Sequence, residues 1–285
     1  MRATAHIASV SIKFNITLQT GEKLQRSVYS YVVHGEQVCI VDAGVAGSAR
    51  TILDLLDETC GVRRKPNALL LTHTHPDHIG SARTLREELG IPVGCPSGEA
   101  DWIEHVEIQA KERPVPGINV LVEGSVPVDF EVDDGMEMDL GGVKIVAIRT
   151  PGHSVASTCY EVVEDDAIIS GDAVPLLTEP PIYDDAVASL ESVRRLKSRS
   201  PEHLLPSWHV PLHGPDVETH LADGGRAIIR FHEAVMNVLD SEPDLDDEMA
   251  CAMVLSELGL ASGTPNPLAL RTFRAHRRAL DVWPA

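Results

Sequence analysis

The sequence predicts an α/β fold, and three observations support that class. Apolar segments of strand length alternate along the chain with segments in which apolar residues have helical spacing. Glycine or acidic turns separate the strand-like segments of the second half. A cluster of histidines directly follows the apolar run at residues 68–71, where a buried strand would end in a loop.

The first half of the chain alternates strands with helices. Two of the strands form a hairpin that turns at Gly35 and Glu36. The first helix is predicted from the spacing of Ile52, Leu55 and Leu56. The predicted elements are, in chain order, strands at 28–33 and 37–41, a helix at 48–59, a strand at 68–72, a helix at 80–89, a strand at 91–94 and a helix at 98–112.

The second half predicts a further group of strands around one helix. The predicted strands span residues 131–140, 143–148, 158–163, 167–169 and 203–205. The helix at residues 184–198 has an apolar stripe that consists of Val187, Leu190, Val193 and Leu196. A candidate basic patch on the same segment, interpreted as the solvated face of the helix, consists of Arg194, Arg195, Lys197 and Arg199.

We predict one domain at residues 1–216 and a helical C-terminal extension at residues 217–285. The extension contains helical patterns at 222–239, 249–258 and 268–280. An acidic link with a proline precedes the second of them, and Asp246 or Asp247 is its predicted cap. We interpret the extension as a cap over a substrate groove or a homodimer contact. The alternative is a winged-helix-like module, which the acidic charge of the extension disfavours as a DNA-binding element.

The most informative segment is the run Leu71-Thr72-His73-Thr74-His75-Pro76-Asp77-His78. Three imidazoles and one carboxylate occur within six residues, and packing gains nothing from this clustering. Neutral imidazole nitrogens and carboxylate oxygens are ligands that zinc, iron and manganese accept. A strand end followed by a tight loop can direct alternate side chains at one point. The run therefore predicts a metal site.

This HxHxDH pattern after a buried strand resembles the first metal-binding motif of the metallo-β-lactamase-fold hydrolase superfamily. Four other segments resemble the remaining family motifs, in the expected order, over residues 28–215. They are Cys39-Ile40-Val41-Asp42-Ala43-Gly44, Thr150-Pro151-Gly152-His153-Ser154, Ile168-Ile169-Ser170-Gly171-Asp172 and Leu204-Leu205-Pro206-Ser207-Trp208-His209. The resemblance implies a four-layer αβ/βα sandwich, in which Asp42 orients the metal loop without binding metal.

The resemblance also implies two divalent metal ions, expected to be zinc, with iron or manganese as alternatives. The implied ligands are His73, His75 and His153 for one ion, Asp77, His78 and His209 for the other, and Asp172 as the bridge. Two histidines compete for the last position. His209 lies just beyond an apolar strand and is our preferred ligand, whereas His213 precedes a glycine as the last ligand of the family usually does.

A ligand set of this kind implies hydrolysis by a hydroxide shared between the two ions, with Asp77 or Asp172 as the proton carrier. We predict that the substrate is a small molecule with a thioester or lactone ester bond, because the general resemblance is to hydroxyacylglutathione hydrolases and lactonases. Tyr183 is either a hydrogen-bond donor to an intermediate or a packing residue. The rival class is a mononuclear iron persulfide dioxygenase, and a third is a nucleic-acid-processing member.

Composition restricts the partners and the compartment. The 285-residue chain has 43 acidic and 24 basic residues and a formal charge of −19, which disfavours a polyanionic substrate such as nucleic acid. Its five cysteines are scattered and contain no CxxC pair, so no disulfide framework is predicted. The N-terminal segment has no long apolar run. We therefore expect no signal peptide, no membrane association and a cytoplasmic location.

Overall fold

The structure, a computed structural model, describes residues 1–17, 23–62, 64–115, 117–261 and 263–284. It consists of two compact units that alternate along the chain. The first unit contains Met1–Arg149, Thr158–Gly171 and Glu202–Leu212. The second unit contains Thr150–Ser157, Asp172–Pro201 and His213–Ala285. The domain boundary predicted at residue 216 stays a prediction.

One six-stranded sheet of the first unit follows the chain order β1-β2-β3-β4-β5-β6. Its strands are β1 (Ile7–Thr17), β2 (Lys23–His34), β3 (Val38–Val41), β4 (Ala68–Leu70), β5 (Val93–Pro96) and β6 (Phe130–Val132). The predicted hairpin is confirmed, since β2 and β3 pair antiparallel with Tyr31 opposite Val41. Strands β3 to β6 run parallel. The first strand was missed, although Val10, Ile12, Phe14 and Ile16 alternate with polar residues.

The second sheet has the order β12-β11-β10-β9-β8-β7. Its strands are β7 (Glu137–Asp139), β8 (Lys144–Arg149), β9 (Thr158–Val162), β10 (Ala167–Gly171), β11 (His203–Pro206) and β12 (Leu212–His213). The single strand predicted at residues 131–140 was wrong. It is divided between the two sheets, because the chain turns at Asp133–Met136 and Gly135 adopts a positive φ of 79°.

The core between the sheets contains aliphatic side chains from both sheets and two tyrosines. Burial raises the pKa of Tyr31 and of Tyr160 well above the usual value. Both hydroxyls donate to backbone carbonyls, Tyr31 to Pro206 at 2.8 Å and Tyr160 to Leu71 at 2.8 Å. Each bond joins a core side chain to a segment that continues into a predicted metal-binding loop, so core packing helps to position those loops.

Helices of the first unit contribute to a separate apolar cluster that includes strands of the first sheet. These helices are α1 (Ala49–Cys60), α2 (Pro76–Ile79), α3 (Ala82–Leu89), α4 (Ala100–Glu104), α5 (Val106–Glu112) and α6 (Ile118–Leu121). The helix predicted at residues 98–112 is interrupted at His105, whose backbone is not helical. The amide of the next residue, Val106, donates to the Ser125 side chain. With two sheets, flanking helices and C-terminal helices, the predicted α/β fold class is confirmed.

The second unit is helical. Its helices are α7 (Ala186–Arg199), α8 (Pro215–Ser241), α9 (Asp247–Glu257) and α10 (Pro267–Arg278). Asp246 is the cap of α9, because its carboxylate accepts from the Met249 amide at 2.9 Å. The last three helices share an apolar core that includes Phe231, Val254 and Phe273. Along the described ranges, we find no helix with the length and apolar character needed to cross a membrane.

Two buried histidines link α8 and α10. The Nδ1 atoms of His232 and His276 lie 3.2 Å apart, and His276 Nε2 lies 2.6 Å from the Tyr183 hydroxyl. His232 also stacks on Trp283, with ring centroids 3.7 Å apart. One hydrogen bond can form between the two Nδ1 atoms, and another between the Tyr183 hydroxyl and His276 Nε2, while both imidazole rings stay neutral. Burial lowers the pKa of His276 to about 3 and also lowers that of His232.

We expect the second unit to lose stability in mild acid. Below the unfolded histidine pKa of about 6.5, the unfolded chain binds a proton at residue 276, whereas the folded chain keeps His276 neutral. The free energy of unfolding should fall by roughly 1.4 kcal/mol per pH unit from pH 6 downward, until the pH approaches the folded value. Urea unfolding at pH 7 and pH 5, followed by Trp283 fluorescence in a Trp102→Phe/Trp208→Phe background, measures this loss. His276→Phe should reduce the change of the free energy of unfolding with pH. The control variant His105→Gln, at an exposed position, should leave that change unaltered. An equal pH dependence in the two variants would contradict the expectation.

Candidate metal centre

In the first unit, the loop after β4 brings three imidazoles together. His73, His75 and His78 are between 0% and 2% exposed. The His73 ring centroid lies 4.5 Å from that of His75 and 4.0 Å from that of His78. Nitrogen atoms of His73 lie within 4.8 Å of nitrogen atoms of each of the other two. Neutral imidazoles this close and this buried fit shared coordination of a cation.

Asp42 fixes the tautomers of two of these rings. Its carboxylate is fully buried and accepts from the Thr72 amide at 2.8 Å and from His78 Nδ1 at 2.8 Å. The Thr72 hydroxyl donates to the same carboxylate at 2.9 Å, so it accepts from His73 Nδ1 at 3.1 Å. With a proton on Nδ1, the neutral rings of His73 and His78 carry their lone pairs on Nε2. Asp42 therefore has the orienting contacts that the resemblance implied.

The short helix α2 positions the end of the motif. Pro76 occupies the first helical turn, where the missing amide proton costs nothing. Asp77 lies in the same turn and is 17% exposed, with Oδ2 3.5 Å from His78 Nε2. The carboxylate is thus beside the nitrogen that carries the lone pair of His78.

Two buried side chains that the sequence analysis missed hold the backbone between His73 and His75. Glu99 accepts from the Thr74 amide at 2.8 Å and from its hydroxyl at 3.1 Å. Gln109 donates to the Thr74 carbonyl at 2.5 Å. Trp102 stacks on His75, with ring centroids 5.9 Å apart. Glu99 was detectable in principle, because it follows β5, which lies beside β4 and ends at the same edge of the sheet.

Replacing Glu99 with glutamine is expected to weaken metal binding by about tenfold, because outer groups that orient ligands contribute 10- to 100-fold to affinity. The change removes a charged acceptor from the Thr74 amide while its size is retained. Competition with a chelating dye measures the affinity. Glu104→Gln is the matched control, since Glu104 also accepts from a backbone amide, that of Val128 at 2.8 Å. Equal affinities in the two variants would show that Glu99 does not position the loop.

The second unit contains two further predicted ligands. His153 Nδ1 donates to the Ile182 carbonyl at 2.7 Å, so its lone pair is on Nε2. This Nε2 lies 3.4 Å from Asp172 Oδ2. Gly152 has a φ of 129°, and an added Cβ would lie 2.4 Å from the Ser189 amide nitrogen. Only glycine allows this close approach of the His153 turn to α7.

The sequence profile of the metallo-beta-lactamase superfamily matches residues 24–209, which is more than half of the 285-residue chain. The chain belongs to the metallo-beta-lactamase superfamily. The profile spans the HxHxDH segment, the turn that contains His153, Asp172 and His209. The resemblance derived from the five motifs is therefore confirmed.

The chain is similar to several curated proteins, and each similarity covers only part of this chain and part of the relative. The probable metallo-hydrolase YqgX of Bacillus subtilis is 32% identical over 151 residues, which are 53% of this chain and 67% of that protein. An uncharacterized Mycobacterium leprae protein is 33% identical over 49% of this chain and 63% of its own. A hydroxyacylglutathione hydrolase of Hyphomonas neptunium is 30% identical over 44% of this chain and 41% of its own. The chain thus spans about two fifths to two thirds of the length of these relatives.

Solved structures of the superfamily share the fold. The metallo-beta-lactamase family protein TTHA1429 of Thermus thermophilus has a TM-score of 0.72 and 20% identity, over 96% of this chain and 93% of that chain. The archaeal superfamily protein ST1585 of Sulfolobus tokodaii has a TM-score of 0.56 and 22% identity, over 88% and 93%. At these identities the likeness establishes the fold.

The choice between the two candidate last ligands stays a prediction. His209 is half-buried in the first unit, and its Nδ1 donates to the Val210 carbonyl at 2.9 Å. His213 is exposed in β12. Among the described residues, no group of three or more metal-donor atoms within 4.8 Å of one another contains His209, His213 or Asp77.

The surroundings of Tyr183 and of the predicted basic patch on α7 indicate the roles of these residues. Tyr183 is fully buried, burial raises its pKa well above the usual value, and its hydroxyl contacts His276 Nε2. These contacts favour the packing role over that of a donor to an intermediate. Within the predicted basic patch, Arg194, Lys197 and Arg199 are exposed on α7, which agrees with a solvated helix face.

The donor chemistry of this superfamily member fits divalent metal ions, which its fold generally binds. Buried imidazoles with their lone pairs on Nε2, and carboxylates beside two of those nitrogens, form a nitrogen and oxygen donor set. The outer contacts made by Asp42, Thr72 and the Ile182 carbonyl are those that orient metal-binding histidines in general.

Proposed function

We propose that this superfamily member is a binuclear metal-dependent hydrolase that cleaves a thioester or a lactone ester of a small molecule. The observation that carries the proposal is the buried trio of imidazoles, His73, His75 and His78. Asp42 and Thr72 fix the orientation of two of them, His73 and His78. Two divalent ions, of which zinc is the first choice, would be held by the residues His73, His75, Asp77, His78, His153, Asp172 and His209.

Contacts inside the first unit hold the strand ends that precede the predicted ligands. The Thr72 carbonyl accepts from the Thr158 amide at 2.8 Å, and Thr158 pairs with Arg149, the last residue of β8. A Cβ on Gly171, the last residue of β10, would lie 2.8 Å from the Thr72 hydroxyl. His73 directly follows Thr72 and Asp172 directly follows Gly171, while His153 lies four residues after Arg149. These contacts of Thr72 fix the ends of the strands β8 and β10, from which the chain continues to His153 and Asp172.

The chain would contribute orientation and proton transfer. When bound, the ions would lower the pKa of water to about 7 and polarise the substrate carbonyl. Asp77 Oδ2 and Asp172 Oδ2 lie beside histidine nitrogens, where either carboxylate can move a proton to the leaving sulfur or oxygen. Asp42 and Glu99 would hold the loop rigid through the reaction. The hydroxyacylglutathione hydrolase among the relatives supports a thioester as the substrate.

Elemental analysis, paired with turnover of a glutathione thioester and of an N-acyl homoserine lactone on the same sample, tests the proposal. Nearly two equivalents of zinc or manganese with hydrolysis of either compound would support it. One equivalent of iron without hydrolysis would contradict it and favour persulfide oxidation.

Separate alanine variants of His209 and His213 identify the last ligand. We expect His209→Ala to lower the metal content towards one equivalent and His213→Ala to leave it unchanged. The reverse pattern would move the assignment to His213.

A further inference from the structure

Helix α10 concentrates positive charge in an otherwise acidic chain. Within eight residues it carries four arginines, Arg271, Arg274, Arg277 and Arg278, whereas the whole sequence has a formal charge of −19. Arg271 is paired through two hydrogen bonds with the Asp184 carboxylate, at 2.9 Å and 2.6 Å. Its charge is thereby balanced, but the other three arginines have a different environment.

These three arginines line an open pocket with a volume of about 370 Å³, together with one acidic residue, Asp247. Three guanidinium groups against one carboxylate leave an excess of two positive charges. Arg274 and Arg277 are about half exposed and Asp247 is 23% exposed. The pocket is therefore accessible to solvent and electropositive, and its size is in the range of small-molecule sites.

The hydrogen bonds of the pocket hold the guanidinium groups in place but satisfy few of their donors. Arg274 Nε donates to one Asp247 oxygen at 2.7 Å, and Arg277 Nη1 donates to the other oxygen. Arg278 Nη2 donates to the Asp184 carbonyl at 2.8 Å, an acceptor without a formal charge. Each guanidinium has five N–H donors, so these single contacts leave most of them for another acceptor.

We propose that the pocket formed by Arg274, Arg277, Arg278 and Asp247 binds a dianionic phosphate group. Guanidinium forks match the oxygen geometry of phosphate, and a dianion would balance the charge excess of the pocket. The bound group is either free phosphate or the phosphate of a small organic molecule. This site is formed by the second unit alone and does not depend on the proposed hydrolysis.

Isothermal titration calorimetry with inorganic phosphate at low ionic strength tests the site. The double variant Arg277→Gln/Arg278→Gln should bind phosphate at least tenfold more weakly than the unchanged chain. Asp247→Asn should bind it several-fold more tightly, because a competing anion is removed; a purely structural role of Asp247 predicts no gain. Arg226→Gln is the control, since Arg226 is exposed on α8 and paired with Asp223.

Acetate and adenosine monophosphate complete the experiment. Acetate, a monoanion, should bind at least tenfold more weakly than phosphate, and tighter binding of the nucleotide than of phosphate would identify an organic phosphate as the ligand. Phosphate affinity that is the same in the double variant and in Arg226→Gln would overturn the proposal. Equal binding of acetate and phosphate would also overturn it.

Discussion

Asp42→Ala is expected to lower the free energy of unfolding of the first unit by about 3–5 kcal/mol, because it leaves several buried donors without their charged acceptor, at about 1–3 kcal/mol each. The change would leave the Thr72 amide and His78 Nδ1–H buried without their carboxylate acceptor. It would also place alanine at a φ of 63°, a region that aspartate tolerates better. The lost hydrogen bonds and the backbone strain both lower the free energy of unfolding.

Urea unfolding in a Trp283→Phe background, followed by the fluorescence of Trp102 and Trp208, measures this loss, because both remaining tryptophans belong to the first unit. Asp54→Ala is the control. Asp54 forms an exposed ion pair with Arg50 on α1, and its removal should cost less than about 1 kcal/mol. If Asp42→Ala cost no more than Asp54→Ala, Asp42 would not be the organiser of the metal loop.

Asp172→Ala is expected to have the largest effect on activity. Under the proposed function, removal of the bridging carboxylate should lower the metal content below two equivalents. It should also reduce kcat/KM by about 10³-fold, which corresponds to roughly 4 kcal/mol of transition-state stabilisation. Asp172 begins the segment after β10, outside the sheet register, so the circular dichroism spectrum should be unchanged.

Metal analysis and thioester or lactone turnover are measured on the same preparation of this variant. Asp240→Ala, at an exposed position of α8, is the control and should keep both metal and activity. Full turnover with one equivalent of metal in Asp172→Ala would contradict the bridging role.

The sequence predicted those parts of the fold that depend on local pattern. The hairpin of β2 and β3 and the α1 stripe depend on residue periodicity, which is visible along the chain. The division of residues 131–140 between two sheets depends on which partner each half pairs with, and no local pattern states that. β1 differs from that segment, because the alternation of its apolar and polar residues is visible in the sequence although no strand was predicted there.

The site divides in the same way. His73, His75, Asp77 and His78 lie within one short run, so the motif alone identifies them. Glu99 follows β5, so the order of the parallel strands could have indicated it. Gln109 lies 35 residues from Thr74, and its contact with the Thr74 carbonyl arises only after α5 has packed. A glutamine at that position has no distinctive spacing. Tertiary contacts of this kind require the folded structure.

The alternation of the two units along the chain has a consequence for protein synthesis. β10 pairs in parallel with β11, and the 30 residues between Gly171 and Glu202 belong to the second unit. A ribosome must therefore release residue 206 before β11 can pair with β10, and residue 213 before the second sheet is complete, by which time α7 has already emerged. Non-local parallel pairing of this kind forms slowly, so we expect the nascent chain to expose apolar sheet surface for most of its translation and to need chaperone protection during that period.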